Sequence, residues 1–283
     1  MTAALEICDV SVRYGGVSAL SEVSCEVEPG EVVGFIGPNG SGKTTLLDVI
    51  SGQLRPDTGA VYLDGENLVD HLPEDRAAAG LLRSFQDCRL YPELTVLETL
   101  LVGEDARRPA GVLSTALSLP DARRKERAKS AAADLALRGF GLQPFRDSLI
   151  GELSTGTRRV VDLATIVAAQ PRVLLLDEPT AGIAQREAEA FGPLLRRLHE
   201  ATGATICLVE HDVPLVMSLC DRIVVLETGR VVAEGTPAEV MANPAAVAAY
   251  LGASEESLAR SGLLRALRPP KPKARRSSAR RVN

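Results

Sequence analysis

The chain has no apolar stretch long enough to cross a bilayer. Its apolar stretches, among them residues 32–36, 173–176, 206–209 and 223–226, fall far short of the roughly 20 residues that a spanning helix requires. The opening Met-Thr-Ala-Ala-Leu-Glu-Ile-Cys-Asp lacks a basic region leading into an apolar stretch, so no secretory signal is read there and synthesis is expected to end in the cytosol. No C-x-x-C pair occurs either. Cys8, Cys25, Cys88, Cys207 and Cys220 are far apart, and three of them sit in or beside apolar, strand-like runs, which predicts buried reduced thiols and argues against disulfide or metal chemistry. Acidic residues are absent from residues 265–283, where eight Arg or Lys gather, although the chain as a whole carries a formal charge of −5. The body is therefore acidic and the tail basic.

Apolar material is plentiful: 45% of the 283 residues are hydrophobic, enough to build a sizeable core in one large domain or two modest ones. Residues 5–12 alternate loosely and residues 25–27 recur in the same style. After a Pro29-Gly30 turn the run 32–36 reads as a buried strand. A glycine-rich turn and a helix over 44–51 follow, then a turn at Arg55-Pro56-Asp57-Thr58-Gly59 and a short strand around 60–63. Strands at 173–176 and 206–209, separated by a helix over about 187–201, imply a right-handed crossover and a largely parallel sheet, hence an α/β domain. Between about 91 and 167 the strand signal vanishes, and 95–102, 121–137 and 158–169 read as helices joined by a segment holding Pro109 and Pro120. A helical insert is expected there. The stretch from Pro269 is too polar and proline-rich to bury a core and is expected to be a disordered tail. No internal repeat is present.

Gly37-Pro38-Asn39-Gly40-Ser41-Gly42-Lys43-Thr44 fits G-x-x-x-x-G-K-[ST] and stands between a buried strand and a helix, where the chemistry needs it. Glycines let the backbone wrap so that N–H groups point at phosphate oxygens, and the helix N-terminus adds favourable potential. Lys43 would hold the β- and γ-phosphates and the Thr44 hydroxyl would ligate Mg²⁺, with Thr45 also in the nucleotide site. Leu174-Leu175-Leu176-Asp177-Glu178 places two carboxylates at the end of a hydrophobic strand, where parallel sheets bind ligands. Asp177 can hold Mg²⁺ and Glu178 can polarise the water that attacks the γ-phosphate. These features define a P-loop NTPase and no more, since small-molecule kinases and GTPases share them.

Leu153-Ser154-Thr155-Gly156 ahead of a helix, Asp177-Glu178-Pro179-Thr180-Ala181-Gly182, and Glu210-His211-Asp212 together resemble the ATPase domain of ATP-binding cassette (ABC) transporters. The resemblance covers about residues 5–252. It implies a RecA-like, mainly parallel core with an N-terminal antiparallel β subdomain and a helical subdomain inserted at about 91–167, all within a domain of residues 1–252. Residues 253–283 would be a C-terminal extension with a basic, disordered tail from about 265. The resemblance also implies ATP and Mg²⁺ as ligands. Tyr14 would stack on adenine, Gln86 would touch Mg²⁺ or the attacking water, and His211 would contact the γ-phosphate. Gly37, Asn39, Gly40, Ser41 and Gly42 would cradle phosphates, while Ser154 and the Gly156 backbone would face the γ-phosphate bound on a partner subunit.

Two departures stand out. Leu153-Ser154-Thr155-Gly156-Thr157 occupies the place where the family usually has Leu-Ser-Gly-Gly-Gln, and Ala184 stands where an aspartate or asparagine is common. A slowed enzyme, not a dead one, is expected. Details around Val209-Glu210-His211-Asp212-Val213, Leu219-Cys220-Asp221-Arg222-Ile223 and the ending through Ala249-Tyr250-Leu251-Gly252 resemble ATPases of branched-chain amino acid importers. That implies two integral membrane permeases, a second ABC ATPase as dimer partner, an extracytoplasmic substrate-binding protein acting indirectly, and a peripheral place on the cytoplasmic side of the membrane. Two alternatives remain open at this point: a cassette ATPase acting on ribosomes or DNA, which the acidic body opposes, and a regulatory ATP switch with little hydrolysis. The basic tail could instead touch anionic lipid.

Overall fold

The computed structural model describes residues 3–84, 90–107, 120–183 and 185–251. The loose alternation near the N-terminus becomes a long hairpin of β1 (Leu5–Tyr14) and β2 (Val17–Val27). With β4 (Thr58–Leu63) and β5 (Glu66–Asn67) it forms an antiparallel sheet of order β2-β1-β4-β5. Period-two burial decides its orientation: Leu5, Ile7, Val10, Val23, Val61 and Leu63 face one core, as a sheet with one wetted face requires.

The second sheet is built around β3 (Val32–Ile36), which is buried throughout. Its other strands are β6 (Leu81–Arg83), β7 (Val173–Asp177), β8 (Thr205–Val209), β9 (Arg222–Glu227) and β10 (Arg230–Gly235), in the order β10-β9-β3-β8-β7-β6. Every pairing is parallel except that of β9 with β10. Strand residues alternate between two cores. Val33, Phe35, Leu175, Val209 and Val224 pack towards the first sheet and α1 (Lys43–Ser51). Val32, Ile36, Leu174, Leu176, Leu208 and Val225 pack on the other face.

Around these strands lie α2 (Pro73–Ala78), α3 (Val96–Arg107), α4 (Pro120–Gly139), α5 (Thr155–Ala168), α6 (Gln185–Thr202), α7 (Val213–Leu219), α8 (Pro237–Ala242) and α9 (Pro244–Leu251). A third core joins Val96 and Leu100 of α3, Ala133 and Leu137 of α4, and Val161 and Ala164 of α5. Helix α5 ties this helical group to the sheet, because its Leu163 packs in the core that holds Leu174 and Leu176. Among the described residues no helix is long and apolar enough to cross a membrane.

One helix start and one strand are among the departures from sequence expectation. Helix α5 starts at Thr155, a turn earlier than expected, because Ser154 acts as its N-cap and accepts from Thr157 N. Strand β6 was not anticipated, being three residues long and defined by its partner β7. Cys25, Cys207 and Cys220 are buried free thiols and Cys8 is half-buried. Burial pushes the Cys25 and Cys220 thiols up to about 12. Cys88, the Pro109 segment and the basic tail lie outside the described residues.

Candidate functional site

Three loops leave the C-terminal ends of neighbouring parallel strands: those after β3, β7 and β8. The first runs into α1 through the glycine-rich segment. Gly42, the residue before α1, has φ +103°, and a Cβ there would lie 2.6 Å from Ala19 O of β2. Only glycine meets both the left-handed backbone and the close approach. The same close approach places the β1–β2 hairpin, whose first strand ends on Tyr14, beside this loop. Tyr14 is exposed at 54%. Asn39, Gly40 and Thr44 are also exposed, Thr45 is half-buried, and Gly37, Ser41 and Lys43 are buried.

Lys43 Nζ donates to Gly37 O at 2.9 Å and Pro38 O at 3.0 Å. Burial pushes its ammonium below the usual lysine range, while the Glu178 and Asp177 carboxylates pull it back up. The loop therefore gathers a positive group facing two carboxylates across strands β3 and β7. Three further observations show that an anionic ligand with a divalent cation fits. Ser41 Oγ is buried without a hydrogen-bond partner. Helix α1 has no side-chain N-cap and no acid in its first turn, so its leading N–H groups remain available to phosphate oxygens. Oxygen donors on both sides of the loop, Thr44 and Asp177, match the ligand chemistry of Mg²⁺.

Asp177 ends β7 and is buried. Its Oδ2 accepts from Arg83 Nη2 at 2.8 Å, and the same guanidinium reaches Asp48 Oδ1 of α1 at 2.6 Å. Arg83 was missed by sequence reasoning. Glu178 has φ +46°, a conformation uncommon for a residue with a side chain, and such strain gathers at functional sites. Its backbone is held by Glu178 N donating to Val209 O at 2.9 Å and by Ala181 N donating to Glu178 O. The side chain meets His211, whose Nε2 is 3.0 Å from Glu178 Oε1. Glu178 and His211, separated by a strand and a helix in the chain, are thus brought into contact.

Ser154 and Gly156 sit apart from this group. Ser154 Oγ donates to Glu187 Oε1 at 3.2 Å, and a Cβ on Gly156 would collide with the Glu187 carboxylate. Among the described residues none of the hydrogen bonds of Ser154 reaches the phosphate loop. Gln86 and Ala184 lie outside the described residues. A cavity of about 350 Å³ lined by Leu135, Phe140, Leu194 and Leu198 lies between α4, α5 and α6 and shares no residue with the site.

A P-loop at a helix N-terminus, a buried aspartate and a Glu–His pair on adjacent strand ends define a nucleotide-hydrolysing P-loop protein. Comparison with known proteins narrows the class. The family model described as ABC transporter matches residues 20–181, and that of the branched-chain amino acid ATP-binding cassette transporter matches residues 230–256. The chain is 37% identical over 249 residues to the high-affinity branched-chain amino acid transport ATP-binding protein BraF of Pseudomonas aeruginosa, covering 88% of this chain and 97% of that protein. Its fold is similar to the ADP conformation of an ATP-binding cassette of an ABC transporter, with TM-score 0.75 and 31% identity over 89% of this chain and 100% of the other. A dimeric cassette in a post-hydrolysis state, bound to ADP and Pi, aligns with TM-score 0.68 and 27% identity over 82% of this chain and 98% of that one. The chain belongs to the ABC transporter family, as an ATPase subunit that binds ATP with Mg²⁺.

Proposed function

We infer that this chain energises an importer of branched-chain or related amino acids from the cytoplasmic face of the membrane, as one half of an ATP-sandwich dimer. The observation that carries the reading is the convergence of Lys43, Asp177 and the Glu178–His211 pair at the C-terminal ends of neighbouring parallel strands. The relative named for branched-chain amino acid transport, matched over nearly its whole length, points to the cargo class. The dimeric neighbour holding ADP and Pi supports the sandwich. Nothing comparable favours a ribosome- or DNA-directed ATPase or a non-hydrolysing switch.

In this reading Lys43, the N–H groups at the start of α1, and Gly37, Asn39, Gly40, Ser41 and Gly42 bind the phosphates. Thr45 lies beside them and Tyr14 stacks on the base. Thr44, Asp177 and Gln86 hold Mg²⁺, which when bound offsets the charge on the transferred phosphoryl group. Glu178 polarises the attacking water and His211 holds its carboxylate in place while contacting the γ-phosphate. Ser154 and Gly156 complete the site of the partner ATPase. Residues 1–252 act as the cassette, with about 91–167 as its helical subdomain, and 253–283 as a basic extension.

Exposed Tyr91 and Leu149 offer a face for permease contact. They lie on adjoining segments, since Thr95 bridges Leu149 and Gly151 N donates to Pro92 O. Purifying the tagged chain from gently solubilised native membranes tests the reading. Two polytopic permeases and a second ATPase are the expected companions, with an extracytoplasmic binding protein joining through the permeases. Ribosomes or nucleic acid without permease would contradict it.

A further inference from the structure

Glu210 is 4% exposed and stands between β8 and His211. Both of its carboxylate oxygens are occupied. Oε1 accepts from Thr180 N at 2.8 Å and from Thr180 Oγ1 at 2.5 Å. Oε2 accepts from His211 N at 2.9 Å and Asp212 N at 3.4 Å. A carboxylate offers about four acceptor positions, so four donors from two loops saturate it. Thr180 is two residues beyond Glu178, and His211 follows Glu210 directly. One buried side chain therefore ties together the backbones of the two loops whose side chains meet at 3.0 Å as Glu178 and His211.

We propose that Glu210 is a positioning residue: it fixes the loop after Glu178 to the loop bearing His211, and so sets the Glu178–His211 contact on which hydrolysis depends. Buried charged acceptors with several N–H donors are strong and directional. Glu178 N also donates to Val209 O across the two strand ends, and the Glu210 carboxylate carries that link outward to Thr180 and to the His211 backbone. Without the tie each loop keeps its strand but loses its angle to the other. Glu210 itself touches neither nucleotide nor water in this account. Thr180 is its counterpart, with a hydroxyl that can be removed or kept.

This inference rests on the role given to Glu178 and His211, and the test separates the two. Full-length wild type, E178Q, E210Q, T180V and T180S are purified, each with its transporter partners assembled, and kcat and KM for Mg²⁺-ATP hydrolysis are measured with thermal unfolding, kcat being taken per folded, ATP-binding molecule. Glu210→Gln keeps shape and volume but turns one acceptor into a donor facing N–H groups, so one loop must let go. Expected is a fall in kcat on the order of tenfold or more in E210Q and in T180V, KM within about twofold of wild type, and near-wild-type kcat in T180S. The E210Q/T180V double variant should be no slower than the slower single, as members of one linkage are non-additive. Wild-type kcat in E210Q, equal impairment of T180S and T180V, or a rise in KM with kcat unchanged overturns the inference while leaving the catalytic reading intact, provided wild type outpaces E178Q. Wild type no faster than E178Q sinks both.

Discussion

Arg83 joins two aspartates that belong to different parts of the site: Asp177 at the end of β7 and Asp48 on α1, at 2.8 and 2.6 Å. Its side chain and that of Asp177 are 6% and 7% exposed, and Asp48 is 32% exposed. The guanidinium thus locks the helix that carries Lys43 and Thr44 to the strand that carries Asp177. Removing it strips the buried Asp177 carboxylate of its hydrogen-bonded guanidinium. Arg83→Leu should cost about 3–5 kcal/mol, read as a lower urea midpoint, whereas Asp48→Asn, at the wetter end, should cost about 1 kcal/mol. Equal losses in the two variants would contradict this asymmetry.

The other end of α1 is held by Arg76, which is 2% exposed. Its Nη1 donates to Val49 O at 2.7 Å and Ile50 O at 2.8 Å, in the last turn of α1, and its Nε donates to His71 O at 3.2 Å. A cation at a helix C-terminus both satisfies orphan carbonyls and opposes the helix dipole. Arg76→Leu should destabilise by about 2–4 kcal/mol, seen as a drop in Tm, and Arg76→Lys should recover part of it.

Asp162 on α5 gives a pH signature. Burial pushes its carboxyl from 3.8 up to about 6, with Arg159 pulling it down. The folded state therefore holds this proton more tightly than the unfolded chain. Its contribution to stability is greatest below about pH 4, falls as pH rises to about 6, and stays at its lowest above that. Asp162→Asn should be more stable than wild type at pH 8 by on the order of 1–2 kcal/mol, allowing for partial solvent access. That advantage should vanish near pH 4. Denaturant unfolding across this range checks it.

Glu187 lies against the end of α5 that the dimer reading assigns to the partner's nucleotide. Its carboxylate accepts from Ser154 Oγ and crowds Gly156, putting negative charge where a γ-phosphate would arrive. Glu187→Gln removes that repulsion. In an E178Q background it should lower the ATP concentration needed for dimerisation by several-fold, on the scale of one helix-end charge, as measured by sedimentation. Weaker dimerisation in the variant would mean that Glu187 supports closure.

The phosphate loop and the Asp177-Glu178 pair were legible because their chemistry needs contiguous residues at a strand end. The alternation of residues 5–12 was legible for a similar reason, since period-two burial is written locally. Arg83, Glu210 and Glu187 were not. Arg83 and Glu210 act through partners brought close by sheet order, β6 beside β7 for Arg83 and β7 beside β8 for Glu210, and Glu187 acts through a contact between two helix starts. Glu210 stood in view beside His211, yet its partner Thr180 lies 30 residues away. Glu187 lies 33 residues from Ser154. The early start of α5 could have been found from Ser154, a residue type favoured as an N-cap.

The central claim is that this site hydrolyses ATP with Glu178 acting on water and His211 holding it. The most direct measurement is Mg²⁺-ATP hydrolysis by wild type, E178Q and H211A, each with its transporter partners assembled, with ATP affinity measured in parallel. The account predicts a wild-type rate well above background, and falls of about a hundredfold or more in both variants with affinity little changed. Equal, background-level rates in all three proteins would contradict it, and so would a wild-type rate that survives loss of Glu178.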